Sequence, residues 1–251
     1  MARVALLADI HGNYEAFQAV MRDVDKSAAD VIVCLGDLVG YGPDPHKCID
    51  LAFECCSKLI LGNHDEAALR GSTHTGLMNP RARSAIEITR SLMSDRHMAL
   101  LSSLLPHAEV EGVAITHGSF GPNRYDYMYD APTAARSFGF ITARFAAVGH
   151  THIPSLFLAP LARTASPDQI ELRPVDGDAL ALLPDDRRIL VNPGSVGQPR
   201  DKNPNASWAV LDTGDLTLEI RRVAYDIETV AAKIRKLGLP DFHAERLRVG
   251  A

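Results

Sequence analysis

The sequence predicts an α/β fold in which two sheets pack together with helices outside. Three observations predict it. Short apolar and β-branched runs recur along the chain, helical spacings separate the early ones, and strand-like segments dominate after residue 150. Continuous apolar runs of this length suit strands buried on both faces, and strand alternating with helix marks a parallel βαβ array.

In chain order the runs are VALLA (4–8), VIVCL (31–35), KLIL (58–61), VAIT (113–116), FAAV (145–148), RILV (188–191), WAVL (208–211) and LEIRRV (218–223). Asn13 is a natural N-cap for a helix whose Phe17, Val20 and Val24 share one face. Ile49, Phe53 and Cys56 repeat that spacing in the next helix. The stretch 78–106 holds two helices, the first started by Asn79-Pro80 and the second capped by Ser94. They interrupt the strand series as a helical insertion, about residues 66–108, packed beside the sheet. Hairpin-like turns follow at 175–180 and 212–216. A last amphipathic helix spans 226–238, with Ile227, Val230, Ile234 and Leu237 in one stripe and Gly238 as its stop. No repeat or linker divides the chain, so residues 1–251 read as one domain.

A net charge of −5 and a pI near 6.0 disfavour a nucleic-acid-coating surface, so an anionic substrate needs positive charge concentrated at one site. The four cysteines, Cys34, Cys48, Cys55 and Cys56, match neither a disulfide scaffold nor a metal spacing. They read as reduced, mostly packed thiols of a cytoplasmic protein, Cys34 inside a strand. No segment approaches a membrane span, and Asp9 interrupts the first apolar run before signal-peptide length.

Five of these runs end in a ligand-type residue beside a glycine. The first delivers Asp9 and His11, the second Asp37, the third Asn63 with His64 and Asp65, the fourth His117, the fifth His150 and His152. A lone Gly-Asp is most often a turn, and a lone His a hydrogen-bonded structural residue. Five in order, each after an apolar run, point instead to one locus, because ligands of parallel sheets gather outside the carboxyl ends of the strands. Carboxylate oxygen mixed with imidazole nitrogen suits Mn, Fe, Zn or Ni rather than calcium or a thiolate zinc. Seven candidate ligands (Asp9, His11, Asp37, Asn63, His117, His150 and His152) exceed one open site and suit two divalent ions bridged by Asp37 or Asp9. Two such ions leave a net positive site on an acidic protein, suited to phosphoryl transfer.

The motifs DIHGN, GDLVGYGPDP, GNHD, THG and GHTH together resemble the calcineurin-like metallophosphoesterase superfamily, over residues 4 to about 212. NPGSVGQPRD (192–201) resembles its bacterial phosphodiesterase or diadenosine-tetraphosphatase-like branch. The resemblance implies an αββα sandwich and two divalent transition-metal ions. It assigns Asp9, His11, Asp37 and His152 to one ion and Asp37, Asn63, His117 and His150 to the other, which makes Asp37 the bridge. His64 becomes the acid that stabilises charge or protonates the leaving oxygen. The implied activity is hydrolysis of small phosphodiesters, phosphomonoesters or nucleotide anhydrides by metal-activated water, without a covalent intermediate.

Two alternatives stand beside it: a serine/threonine protein phosphatase, and a non-catalytic metal-binding scaffold. The protein phosphatases of the superfamily carry two phosphate-gripping arginines where this chain has Gly40-Tyr41-Gly42 and Leu61. Arg200 is the candidate replacement for substrate binding. Tyr41, Tyr125, Tyr127 and Tyr129 are candidates to hold a base, although the run 124–130 also suits a surface loop or a subunit contact. His46, His97, His107 and His243 read as surface residues, and His74 as a loop residue bordering the cleft.

Overall fold

The computed structural model describes residues 1–71, 80–175 and 180–251. His74, the proposed cap Asn79 and most of the proposed turn at 175–180 lie outside the described residues. The first half runs β1 (Arg3–Leu7), α1 (Tyr14–Val24), β2 (Val31–Cys34), α2 (Pro45–Cys55), β3 (Lys58–Leu59), α3 (Asn63–Arg70), α4 (Pro80–Ser91) and α5 (Asp95–Ser102). Then come β4 (His107–Val110), β5 (Val113–Thr116), α6 (Ala131–Phe138), β6 (Phe145–Ala147), β7 (Ser155–Pro160) and β8 (Glu171–Pro174). The chain ends with β9 (Leu180–Leu182), β10 (Arg187–Asn192), β11 (Ala206–Asp212), β12 (Thr217–Val223), α7 (Ile227–Lys236) and α8 (Phe242–Val249).

These strands build two six-stranded mixed sheets, ordered β3-β2-β1-β11-β12-β9 and β4-β5-β6-β10-β7-β8. The predicted α/β class with two packed sheets is the observed one. Between the sheets, Val4, Leu6, Val33 and Leu35 of the first meet Val113, Ile115, Leu156, Ile189 and Val191 of the second. Phe17 and Val20 of α1 and Ile49 of α2 close the outer face of the first sheet against Leu7 and Trp208. Phe138 of α6 closes the second against Phe157 and Leu190. Each such side chain contributes roughly 1.5–3 kcal/mol of burial energy.

The parallel pairings fix where function collects. β1, β2 and β3 run parallel, and so do β5, β6 and β10. Their carboxyl ends therefore share one edge of the sandwich. Asn13 caps α1 as expected, its Oδ1 accepting from Ala16 N at 3.1 Å, while its amide donates to Gly197 O at 2.8 Å. The antiparallel turn after Asp212 is held by that residue's Oδ1, which accepts from Gly214 and Asp215 N–H, both at 2.9 Å.

Several expectations are corrected. Leu237 is not in the buried stripe of α7; it caps the helix and is exposed, and Leu239 is buried in its place. His243 is not a surface residue but lies on α8, 1% exposed, its ring 4.9 Å from that of Tyr41. His46 and His97 are half-buried, and only His107 is exposed, on β4. Helices α3, α6 and α8 and strands β4, β7, β8 and β9 escaped the sequence reading. The two helices expected in 78–106 are present as α4 and α5. α5 packs against α2 and α3, whereas Ala82 and Ala85 of α4 join α7 and α8 around Tyr41.

Candidate metal centre

Each strand end turns sharply to deliver its side chain. Asp9 (φ 55°), His11 (51°), Asp37 (57°), His150 (68°) and His152 (61°) all sit in the left-handed region, which costs a non-glycine residue about 1–3 kcal/mol. Interlocking hydrogen bonds hold them there. Asp9 N–H donates to Gly36 O at 3.1 Å and His11 N–H to Asp37 O at 2.9 Å. His150 N–H donates to Asp9 Oδ2 at 3.0 Å. Two glycines permit the close approaches: a Cβ on Gly62 would run into the amide and carboxylate of Asp37, and one on Gly149 would sit 2.9 Å from Asp9 Oδ2.

The structure brings all seven predicted ligands and His64 to one place. Apart from half-buried Asn63, each is no more than 5% exposed. Asp9, His11 and His152 form one group that could hold a cation, and Asp37, His117 and His150 a second. A third group, His11, Asp37 and His64, shares His11 with the first and Asp37 with the second. Asp37 Oδ2 lies 3.5 Å from His11 Nε2 and 3.3 Å from His117 Nε2, so it stands between the two halves. His152 Nε2 lies 3.5 Å from Asp9 Oδ1, and Asn63 Oδ1 lies 3.1 Å from His117 Nε2.

Backbone carbonyls set the tautomers. Val39 O, Leu35 O and Gln198 O lie 2.9, 2.8 and 2.6 Å from the Nδ1 atoms of His11, His117 and His152. A carbonyl only accepts, so each Nδ1 carries a proton and each Nε2 faces inward, the arrangement of a metal-ligating histidine. Burial holds His11 and His152 well below their ordinary pKa, and pushes His150 down to about 3. Consequently two lone pairs, His11 Nε2 and His152 Nε2, face each other at 3.1 Å. His150 Nε2 is also buried without a hydrogen-bond partner. Opposed imidazole lone pairs and an orphaned nitrogen in a dry pocket fit divalent cations.

The carboxylates carry the same signature. Burial drives Asp9 up to about 7, with His117 opposing and Asp37 adding to the rise. Burial would raise Asp37 too, but the charges of His117 and His64 hold it well below the usual carboxylate range. His117 is pulled down by burial, yet Asp37 outweighs this and lifts it to about 9. Two buried carboxylates with one imidazolium between them remain short of positive charge.

His64 sits apart from the carbonyl-anchored rings. Its backbone N–H donates to Asp37 Oδ1 at 2.8 Å, its ring packs 4.4 Å from Tyr41, and its Nδ1 has no partner. Burial lowers it to about 4. Arg200 is half-buried at the rim: its N–H bonds His152 O at 3.3 Å and its Nη2 bonds Gln198 Oε1 at 3.1 Å. Its charge acts on Asp9, His11, His64, His150 and His152.

Three residues have a supporting role that sequence reasoning did not assign, among them Asp65, noted there without a role, and Tyr41, named there as a candidate to hold a base but buried in the structure. Asp65, fully buried, accepts from the N–H groups of Asp37, Val39 and Gly62. Its place in the first turn of α3, directly after Asn63 and His64, was the available signal. Glu66 accepts from Arg124 at 2.5 Å and from Tyr125 OH at 2.8 Å, tying α3 to the segment after His117. Tyr41 packs against His11, His64 and His243, and nothing in the sequence links the last of these to the site.

A two-sheet sandwich whose parallel strand ends deliver carboxylates and imidazoles into one dry cluster is the construction of a metal-dependent hydrolase. The chain belongs to the calcineurin-like phosphoesterase superfamily, whose domain profile matches residues 2–216. It is therefore a metal-dependent phosphoester hydrolase. It is 32% identical to the uncharacterized protein MJ0912 of Methanocaldococcus jannaschii over 98% of both chains. The crystal structure of a metallophosphoesterase from Sphaerobacter thermophilus superposes with a TM-score of 0.86, at 32% identity, over 100% of this chain and 99% of that one. A shorter match, 33% identity over 39% of this chain and 37% of the other, is to a symmetrical bis(5'-nucleosyl)-tetraphosphatase of Delftia acidovorans. Among the described residues no helix is long and apolar enough to cross a membrane.

Proposed function

We propose that this chain is a two-metal phosphoesterase of the cytoplasm acting on small phosphodiesters, phosphomonoesters or nucleotide anhydrides. The observation that carries the reading is the approach of His11 Nε2 to His152 Nε2 at 3.1 Å while the Nδ1 of each ring faces a backbone carbonyl. Asp9, His11, Asp37 and His152 would hold one cation, and Asp37, Asn63, His117 and His150 the other. When bound, two such cations, with manganese a suitable identity, neutralise developing charge on phosphoryl oxygens and acidify water.

The remaining work belongs to the chain's own groups. His64 donates a proton to the leaving oxygen. Burial keeps it neutral, and a bound phosphate would supply the negative charge that favours its imidazolium form. Arg200 approaches the phosphate from the rim. Tyr41, packed against His11 and His64, stands at the motif position where the protein phosphatases carry an arginine, which disfavours a phosphoprotein substrate. The partial match to a tetraphosphatase supports keeping nucleotide anhydrides among the substrates. Four cysteines free of disulfides suit the cytoplasm, and the net charge of −5 argues against stable nucleic-acid binding.

The test is hydrolysis of bis-p-nitrophenyl phosphate beside p-nitrophenyl phosphate by stripped protein reloaded with Mn. Metal-dependent release of p-nitrophenol is expected, and Asp37→Asn should lose both rate and bound metal. Two bound Mn with neither ester cleaved would favour the scaffold reading and reject this one.

A further inference from the structure

We propose that Tyr127 and Tyr129 form an aromatic ledge at the mouth of the centre that receives the nucleobase of the substrate. The inference deepens the phosphoesterase reading and rests on it for the position of the phosphate.

The ledge starts at the centre itself. The Tyr127 ring lies on that of His150, centroids 4.0 Å apart and planes 18° apart, and the Tyr129 ring lies parallel to Tyr127 within 3° at 5.6 Å. The two rings are 48% and 50% exposed, while Met128 between them is 2% exposed and packs with Phe138 and Ile141. Tyr129 N–H bonds Tyr127 O at 3.2 Å, closing a tight turn about the buried Met128 that leaves the flanking tyrosines exposed. Stacking on His150 accounts for Tyr127 alone. It leaves unexplained why a second ring is held parallel to the first and open to solvent, where paired aromatic faces mark a binding surface.

The segment is fastened before any ligand arrives. Ser119 N–H and Oγ bond Arg124 O and Asn123 O at 3.0 and 2.7 Å, and Arg124 and Tyr125 are both tied to Glu66. A ledge fixed in advance loses little conformational freedom on binding. Arg200, half-buried, lies near enough to act electrostatically on Tyr129 as well as on Asp9 and His152. A phosphate at the centre then directs its organic group across His150 onto the rings. Every nucleobase offers a π-face to such a surface, whereas an aliphatic alcohol does not.

The experiment titrates Mn-loaded protein with adenosine 5′-monophosphate and with ribose 5-phosphate, which share sugar and phosphate and differ by the base. Titrations run cold, and the recovered ligand is checked for integrity. Wild type should bind the nucleotide about fivefold or more tightly. Tyr129→Ala should abolish that preference with Mn content unchanged, and Tyr129→Phe should keep it. Equal affinities in wild type, or a preference that survives Tyr129→Ala, overturn the ledge. Turnover of bis-p-nitrophenyl phosphate is followed in parallel. Turnover without base preference rejects the ledge alone, and base preference without turnover rejects the hydrolase reading alone.

Discussion

Removing the carboxylate of Asp65 should destabilise the protein more than removing any single metal ligand from stripped protein. Asp65 touches no candidate cation, but its two oxygens accept from Asp37 N at 2.9 Å, Gly62 N at 3.0 Å and Val39 N at 3.2 Å. Asp65→Ala leaves three buried N–H groups without partners, each costing about 1–3 kcal/mol. Taking the low end, the loss is about 3 kcal/mol, a large share of a typical stability of about 5–15 kcal/mol. For a chain of this size that corresponds to a fall in Tm of about 6–12 °C. Asp65→Asn keeps one acceptor and should fall between. Burial, with Asp37 adding, pushes Asp65 up to about 7; a contribution from a group raised in this way is lost as pH rises through that value, so calorimetry on chelator-treated protein belongs near pH 6. Because the same N–H groups hold Asp37 in its left-handed turn, Asp65→Ala should also lower Mn content. A Tm within about 2 °C of wild type, below about 1 kcal/mol, would refute the reasoning.

His64→Ala should retain both metals and slow turnover, most for esters with poor leaving groups; rates across a series of leaving-group pKa values check this, and an unchanged slope removes the acid role. Chelation should lower Tm, and restoring free Mn to a hundred times its Kd should return about 2.7 kcal/mol per site. A melting curve indifferent to Mn would count against occupancy of the buried cluster.

The central strands of the first sheet were legible because they are continuous apolar runs, such as VALLA and WAVL, that the fold buries on both faces. β4, β8 and β9 were not, because they are short, largely exposed strands, the first at one edge of its sheet and the others at far edges, with little apolar pattern to read. β7, SLFLAP, follows the GHTH motif after only Ile153 and Pro154, with no helix before it to set it off as a separate strand. The ligand types were legible from their spacing after each run. The left-handed backbone beneath Asp9, His11, Asp37, His150 and His152 was not, since those residues take it only when contacts distant in sequence enforce it. The same holds for His243, whose burial depends on α8 folding back beside Tyr41.

The centre draws on both sheets: Asp9, His11, Asp37 and Asn63 follow strands of one, and His117, His150 and His152 follow strands of the other. Apolar packing resists separation of the layers but tolerates small sliding, because dispersion and burial are weakly directional. Ligand geometry is not tolerant in that way. A cation held as proposed, by Asp9 from one layer and His152 from the other, would act as a rivet, and a shear of about an ångström between the sheets would cost it ligands. Metal occupancy and the mechanical register of the sandwich would then be one variable, and a variant that loosens the interface far from the site should betray itself first as a weaker grip on metal.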